Sequence, residues 1–529
     1  MSLTQTIFSL PGGSTAALIL LVLSAGILAQ QLFRGKDPLP LPPGPPRLPI
    51  VGNSFQIPLI NPWRKQAEWT KQYGPIYRLK LGKDTVIVLG TQKAARDLLE
   101  KRSKIYSSRP RSVMAGENVS RGKQSLIHPS YVEIILMKCD KWRMHRRLQG
   151  QVINQNIVNK YKGFQDLESI QLIKELVDRP EGFFDSFHRY NSSVIFALAY
   201  GKRMPRGDEE DVVAIDEITS NFLYSARLGT WIVDSFPLLN YLPTFVAPWK
   251  RIGDNFYNWA EKMHTFNRDE ALQRKGWNWT KEIARTKEAQ NVSPLELAFM
   301  VGFLYEAGSD STTIALEIFI LALLKHPEAL KRAQEELDRV VGPDRLPTFD
   351  DKDNLPYVCN CVDEVLRWRS PSAGGVPHVV EEDDEYMGYR IPKGAIVVGN
   401  LWSIHQDPEA YPNPTKFMPE RWDDRENVHY GFGFGRRACP GRHISSNSLF
   451  VNYARILWGF NVEYAKNSDG TVIPVDEWNM TQGFMSRPVR YKASITPRDA
   501  KRVEVIDRAW KGAEMQLQDM SNILKIEDF

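Results

Sequence analysis

The strongest apolar patterning lies near the N-terminus. Residues 16–33 read AALILLVLSAGILAQQLF, and no charge follows until Arg34 and Lys36. As helix, these 18 residues span about 27 Å, close to the hydrocarbon core of a bilayer. The pattern predicts a membrane anchor over 1–33, with its helix at about 16–33. A cleaved signal peptide fits less well, because a charged leading region and a good small-residue cleavage site are missing. Arg34 and Lys36 favour a cytoplasmic C-terminal side. The run Pro38-Leu39-Pro40-Leu41-Pro42-Pro43-Gly44-Pro45-Pro46 cannot form helix and predicts a stiff, extended hinge over 34–52.

Residues 53–529 read as one body. Pro62 to Tyr73 is helical in pattern, and Tyr77–Leu81 with Thr85–Leu89 predicts a hairpin around Gly82-Lys83-Asp84. From Gln92 onward the pattern turns helical. The clearest long helix runs from Pro294 to Lys325. Ser293 and Glu296 are placed for a capping box, Pro294 suits the first helical position, and His326-Pro327 ends the run. Its middle, 299–324, is nearly all apolar, so it should be buried on most sides. Helices are also predicted over Pro327–Val341, Pro356–Arg369 and about Gly441–Gly459. Tyr386–Ile391 and Ile396–Gly399 read as strands, and Asp407–Pro440 as a long irregular stretch. The fold class is mainly α with a small β-sheet region, in a single large domain.

The composition is that of a globular chain, with 42% hydrophobic and 25% charged residues in 529. The net charge is +5 and the basic residues are scattered, so no nucleic acid is expected as a partner. Four cysteines occur, Cys139, Cys359, Cys361 and Cys439, too few for a disulfide framework.

One of them sits in a distinctive loop, Phe432-Gly433-Phe434-Gly435-Arg436-Arg437-Ala438-Cys439-Pro440-Gly441. The glycines permit tight turns, and the aromatics can pack on a flat ligand. Cys439 lies just before a predicted helix start, which favours a thiolate, a soft and electron-rich metal ligand. A lone cysteine in a glycine-rich turn would more often be a buried structural residue.

The loop resembles the F-x-x-G-x-R-x-C-x-G signature of the heme-thiolate monooxygenases, the cytochromes P450, at Phe432, Gly435, Arg437, Cys439 and Gly441. The resemblance implies the fold of that family, heme b as cofactor, and Cys439 as the ligand of its iron, pushing electron density that favours O–O cleavage. Glu364-Val365-Leu366-Arg367 and Pro419-Glu420-Arg421-Trp422 resemble the family's structural charge network. Glu306-Ala307-Gly308-Ser309-Asp310-Ser311-Thr312-Thr313 looks like its oxygen-binding helix segment. There Ala307 and Gly308 would leave room for dioxygen, while Asp310 and an alcohol relay protons. That alcohol aligns with Ser311, where the family more often has Thr; a one-residue shift would make it Thr312. Trp142, Arg146, Arg437 and His378 fall where the family holds the heme propionates.

The anchor and hinge resemble the microsomal type. This implies a single-pass protein of the endoplasmic reticulum membrane, facing the cytoplasm and in contact with lipid. It also implies a separate NADPH–cytochrome P450 reductase, which Arg436, Arg437 and Arg442 would meet. No well-placed flavin or nucleotide motif occurs in this chain. Substrate contacts are expected from 114–124, 221–230, Phe303, Leu304, 372–376 and 482–485, for a lipophilic small molecule. The resemblance extends to fungal members that tailor secondary metabolites. Two alternatives remain on the residues alone: a reductase-independent rearranging enzyme, and a non-catalytic membrane heme-binding protein.

Overall fold

The computed structural model describes residues 39–518 apart from 129–131, 135–136, 140, 228 and 425–427, with backbone alone for 132–134 and 137–139. The predicted anchor, 1–33, lies outside the described residues. The longer helices are α1 (Pro62–Tyr73), α2 (Lys141–Ile153), α3 (Lys162–Asp178), α4 (Phe183–Tyr200), α5 (Glu210–Ser225), α6 (Pro248–Gln273), α7 (Pro294–Lys325), α8 (Pro327–Val340), α9 (Pro356–Trp368), α10 (Arg442–Gly459) and α11 (Ala500–Leu517).

The largest sheet has four strands, β1 (Ile76–Leu81), β2 (Asp84–Leu89), β3 (His378–Val379) and β4 (Ile396–Gly399), in the order β1-β2-β4-β3. β1 and β2 form the expected hairpin, turning on Gly82 and Lys83 because Asp84 already pairs with Leu81. β2 and β4 pair in parallel, which joins the N-terminal hairpin to the region ahead of the cysteine loop.

α7 is the axis of the domain. Ser293 accepts from the Glu296 N–H at 3.1 Å, as the cap pattern requires. The reciprocal half of the box is diverted: the Glu296 carboxylate pairs with His145 Nε2 at 2.9 Å, tying α7 to α2. Further along, Tyr305 meets Phe196 of α4, and Phe319 stacks on Tyr453 of α10 at 3.6 Å. Among the described residues α7 is the only helix long and apolar enough to cross a membrane, yet 78% of its apolar window is buried. It is a core helix. Gly308 belongs to this packing, since a Cβ there would come 3.1 Å from Ile195 of α4.

Two sequence readings change. Tyr386–Ile391 is not one strand but a tight hairpin, Asp384–Tyr386 against Tyr389–Ile391, with positive φ at Met387 (53°) and Gly388 (77°). The last helix is not the one ending at Gly459: α11 follows, capped by Asp499, which accepts from the Arg502 N–H at 2.8 Å. The Pro-rich stretch, where described, does not stand clear of the body. Pro43 O accepts from the Arg78 N–H at 2.7 Å, and Asn53 Nδ2 donates to Pro46 O at 3.0 Å.

Candidate functional site

The cysteine loop is built by local geometry. Cys439 N–H donates to Phe432 O at 2.7 Å and closes the loop on itself. Gly435 has φ +48°, and a Cβ there would fall 2.5 Å from Leu99 O, so both conformation and close approach require glycine. Phe432 is half-buried, and Phe434 is buried and stacked on Tyr430.

Two guanidinium groups flank the cysteine, one reaching into the loop and one reaching out of it. Arg146 of α2 donates to Ala438 O, next to the cysteine. Arg437 lies 3.8 Å from the centre of the buried Trp142 ring and donates to Ser107 O at 2.8 Å and His128 O at 2.6 Å. A third cation, missed in the sequence reading, joins them from the other side. Arg109 is buried and donates to Leu126 O, Val376 O and Pro377 O at 3.1, 3.2 and 2.6 Å. Its partners here are neutral carbonyls, and burial alone pushes its pKa down to about 9. A buried cation held by carbonyls fits an anionic group that the side chains do not themselves provide. His378 is buried beside it and Nδ1 donates to Tyr106 O at 2.7 Å; burial holds its pKa well below the ordinary 6.5, so it is a neutral imidazole with Nε2 as acceptor.

The cysteines differ. Burial raises the Cys359 thiol to about 11 and Cys361 still further. Burial also raises Cys439, but there the Gly441 and Arg442 N–H groups and the charges of Arg146 and Arg442 pull the other way. The helix start thus acts in the expected direction without outweighing burial. A coordinated metal cation would tip the balance, because coordination deprotonates a thiol outright.

Facing this loop is the middle of α7. Thr312 Oγ1 and Ser445 Oγ of α10 lie 3.1 Å apart, which pins residues 307–312 over the start of α10. Ala307 is exposed in a helix otherwise largely buried, and Phe303, Gly308, Asp310 and Ser311 are half-buried. Ser311 Oγ donates to Ala307 O at 2.9 Å. Asp310 lies 3.5 Å from Arg487 Nη1, whose guanidinium is held more tightly by Glu317 at 2.7 Å. Asp310 also borders a cavity of about 460 Å³ shared with His188, Asp216, Glu317, Arg487 and Arg490. That cavity touches none of Cys439, Trp142, Arg146 or Arg437, so it lies on the flank of residues 307–312, away from the thiol.

Glu364 and Arg367 pair at 2.8 Å with both side chains fully buried, and Arg421 Nε reaches Glu364 at 3.0 Å. Arg367 also donates to His405 O, Pro414 O and Lys416 O, which stitches the irregular stretch to α9. The set is a structural clamp.

A soft thiol at a helix start with Arg146 beside it, Arg109 and Arg437 both close to His378, and a face of small residues opposite suit a flat, metal-bearing group with anionic substituents. Comparison with known proteins agrees. A family model described as Cytochrome P450 matches residues 42–495. The chain is 42% identical over 476 residues to cytochrome P450 monooxygenase FrzL of a Cladobotryum species, covering 90% of this chain and 91% of that one. It is 40% identical over 515 residues to cytochrome P450 monooxygenase aneD of Aspergillus aculeatus, covering 96% and 97%. A protein named echilunin cytochrome P450 monooxygenase, from Aspergillus ruber, is 39% identical over 486 residues, covering 90% and 88%.

Proposed function

The chain belongs to the cytochrome P450 family, and from that footing we propose that it inserts one oxygen atom of O2 into a lipophilic small molecule of fungal secondary metabolism. It is a monooxygenase of a family whose members bind heme b and work with a redox partner on lipophilic substrates. Heme b, when bound, supplies the reductive activation of O2: two electrons and two protons are consumed, one oxygen atom enters a substrate C–H bond, and the other leaves as water.

The observation that carries the reading is the Cys439 loop under the small-residue face of α7, with Arg146 bonded to Ala438 O and the loop's own Arg437 held on Trp142. Cys439 Sγ would be the thiolate ligand. Arg109, Arg146 and Arg437 would neutralise the two propionates, with Trp142 as the platform for Arg437 and His378 beside Arg109 and Arg437. Phe432 would supply an aromatic contact to the cofactor, and the small Ala307 and Gly308 would leave room for dioxygen. Asp310 takes protons from the flanking cavity, and the half-buried Ser311, through its Oγ, passes them on. Thr312 is the tie to Ser445 and not the relay alcohol.

Arg143 and Arg147 of α2 are exposed beside Arg436 and Arg442, giving the cysteine side a basic face that suits an acidic NADPH–cytochrome P450 reductase. Membrane contact is supported by a second surface. Ile50, Phe55 and Leu59, on the stretch that follows the Pro-rich run in sequence, are 86%, 81% and 70% exposed. Leu59 lies against Gly229, which leads into a stretch where Leu238 and Phe245 are 80% and 82% exposed. Apolar residues this exposed, on neighbouring segments, fit the interface of a bilayer, here that of the endoplasmic reticulum.

The test is the carbon monoxide difference spectrum of the reduced protein. Cys439→Ser should lose the thiolate red-shift, while Cys359→Ser and Cys361→Ser keep it. A red-shifted band that survives Cys439→Ser would refute the assignment. Comparing metabolites with and without the enzyme, under isotopically heavy dioxygen, then identifies the substrate and the origin of the new oxygen.

A further inference from the structure

Along the apolar middle of α7 three acids occur, Glu306, Asp310 and Glu317. The last two share Arg487. Glu306 does not. It is buried, and its neighbours are His264 Nε2 of α6 at 3.0 Å from Oε1 and Gln124 Nε2 at 3.2 Å from Oε2. Its place is built with care by the backbone: a Cβ on Gly302 would sit 2.3 Å from His264 Nδ1, so only glycine lets that ring lie flat against α7.

The polar groups around this carboxyl are not used up. Gln124 is 6% exposed and its Oε1 has no partner among the described residues. His264, at 1% exposure, has no hydrogen-bond partner at either ring nitrogen among the described residues, since Nε2 lies 3.0 Å from Glu306 without hydrogen-bond geometry. One turn along α6, Asn267 is fully buried with both amide atoms unpaired among the described residues. The adjoining wall is aromatic, with Phe299 edge-on to His264 at 5.1 Å and Tyr257 stacked on Phe299, and with Arg121 and Lys123 lying over these rings. Buried polar groups are nearly always satisfied, and leaving several open is costly.

The nest also lies at the edge of the face of α7 that is turned toward the Cys439 loop. Glu306 directly precedes the exposed Ala307 and lies three residues from the half-buried Phe303, so it borders the open face of α7. The segment carrying Gln124 runs straight on to Leu126 O and His128 O, which accept from Arg109 and Arg437. One short stretch of chain therefore links the nest to the cations beside Cys439.

We propose that Glu306, with Gln124 and His264, is the polar anchor of the substrate chamber and takes a hydroxyl group carried by an otherwise apolar substrate. A hydroxyl donates one hydrogen bond and accepts others, which matches a carboxyl oxygen beside amide and imidazole nitrogens. Fixing one end of a smooth hydrocarbon skeleton selects which carbon is presented for oxidation. By this inference the substrate is already oxygenated, and an earlier hydroxylation or carbonyl reduction must supply it.

The inference rests on the heme-thiolate reading, and its test separates the two. Imidazole binds heme iron and fixes one end of a probe. Titrate the heme-loaded full chain with 1-alkylimidazoles from ethyl to decyl, and with the matching ω-hydroxyalkyl and ω-aminoalkyl series, following the optical shift. At one chain length the hydroxyl probe should bind at least about tenfold tighter than the alkyl probe, roughly 1.4 kcal/mol. In Glu306→Gln and in Gln124→Ala that preference should fall to about threefold or less, with alkyl affinities changed by no more than about twofold. Gln124 comes from a loop, so Gln124→Ala keeps the test open even where the helix variant folds poorly. An optical shift without hydroxyl preference at any length, or a preference for the amine alone, overturns the anchor and leaves the heme-thiolate reading standing. No shift with any imidazole refutes the heme-thiolate reading itself.

Discussion

Replacing Glu364 by alanine should cost about 4 kcal/mol of stability, a figure that follows from its partners. Its carboxylate accepts from Arg367 Nε and Nη2 at 2.8 Å each, from Met418 N at 2.8 Å, and from Arg421 Nε and Trp422 Nε1 at 3.0 Å each. At about 1.5–3 kcal/mol for each hydrogen bond to a charged group, plain addition would give some 7–15 kcal/mol. The bonds are not independent, and Arg367 keeps three backbone carbonyls after the change, so the sum overshoots. What remains is an uncompensated guanidinium at 0% side-chain exposure, and removing one partner of a buried pair costs about 3–5 kcal/mol.

With an unfolding entropy of about 2.1 cal/mol/K per residue over about 480 residues, 1 kcal/mol moves the midpoint by about 1 °C. Glu364→Ala should therefore unfold about 4 °C lower than the parent at the same scan rate, followed by tryptophan fluorescence. Trp368 and Trp422 both sit in the clamp and will report it. Glu335→Ala, which breaks the exposed Lys331–Glu335 contact at 4.0 Å, should shift the midpoint by less than about 0.5 °C. A shift below about 1 °C for Glu364→Ala would refute the clamp as the restraint on the segment leading to Cys439.

Two further outcomes are expected. Ser311→Ala removes only a bond within the helix, so the melting midpoint should stay within about 1 °C, while product formed per NADPH consumed falls at least about tenfold. Thr312→Val should lower stability by about 1 kcal/mol through the lost Ser445 contact but keep coupling, and the reverse pattern would move the relay to Thr312. The second concerns pH. Burial opposes charge on His188, but Asp216 at 2.8 Å prevails, with Asp310 adding to it, and the pKa is raised above 6.5. The pair's stabilisation is thus fully present below about pH 6.5 and lost as pH rises through the folded value. Asp216→Asn should flatten that part of the stability–pH curve in urea titrations, and an unchanged curve would exclude the pair.

What could be read from the sequence was what local chemistry encodes. Both ends of α7 follow from Ser293, Pro294 and His326-Pro327, and the observed limits, Pro294–Lys325, are those expected. Glu364 and Arg367 were recognisable because they lie one helical turn apart. The hairpin at Met387-Gly388 was hidden because a methionine in the left-handed region gives no turn signal. α11 carries Val505, Ile506, Ala509, Trp510, Ala513 and Leu517 at helical spacing, a signal masked by the dense charges between them, and it packs against α3. The buried Arg109 and the distant Arg487 were equally illegible, since nothing adjacent to either in the chain marks it for the interior.

The acids of α7 show why position in the fold, and not residue type, assigns the chemistry. Glu296 is tied to His145 at 2.9 Å, with Lys141 at 3.6 Å, near the helix start. Glu317, whose pKa burial raises in spite of Arg487, holds that guanidinium through two of its nitrogens. Arg487 therefore has its best geometry spent on Glu317, and Asp310 receives the remaining contact at 3.5 Å. A carboxylate held that loosely, 27% exposed on a cavity and next in sequence to Ser311, can change partners at little cost. Strengthening its grip would stabilise the helix and slow the proton. On this logic Glu317 serves the relay by occupying the arginine, and Glu317→Gln should slow proton delivery by freeing Arg487 to clamp Asp310. A larger solvent isotope effect on turnover would register the change, and an unaltered one would show that Glu317 has no part in it.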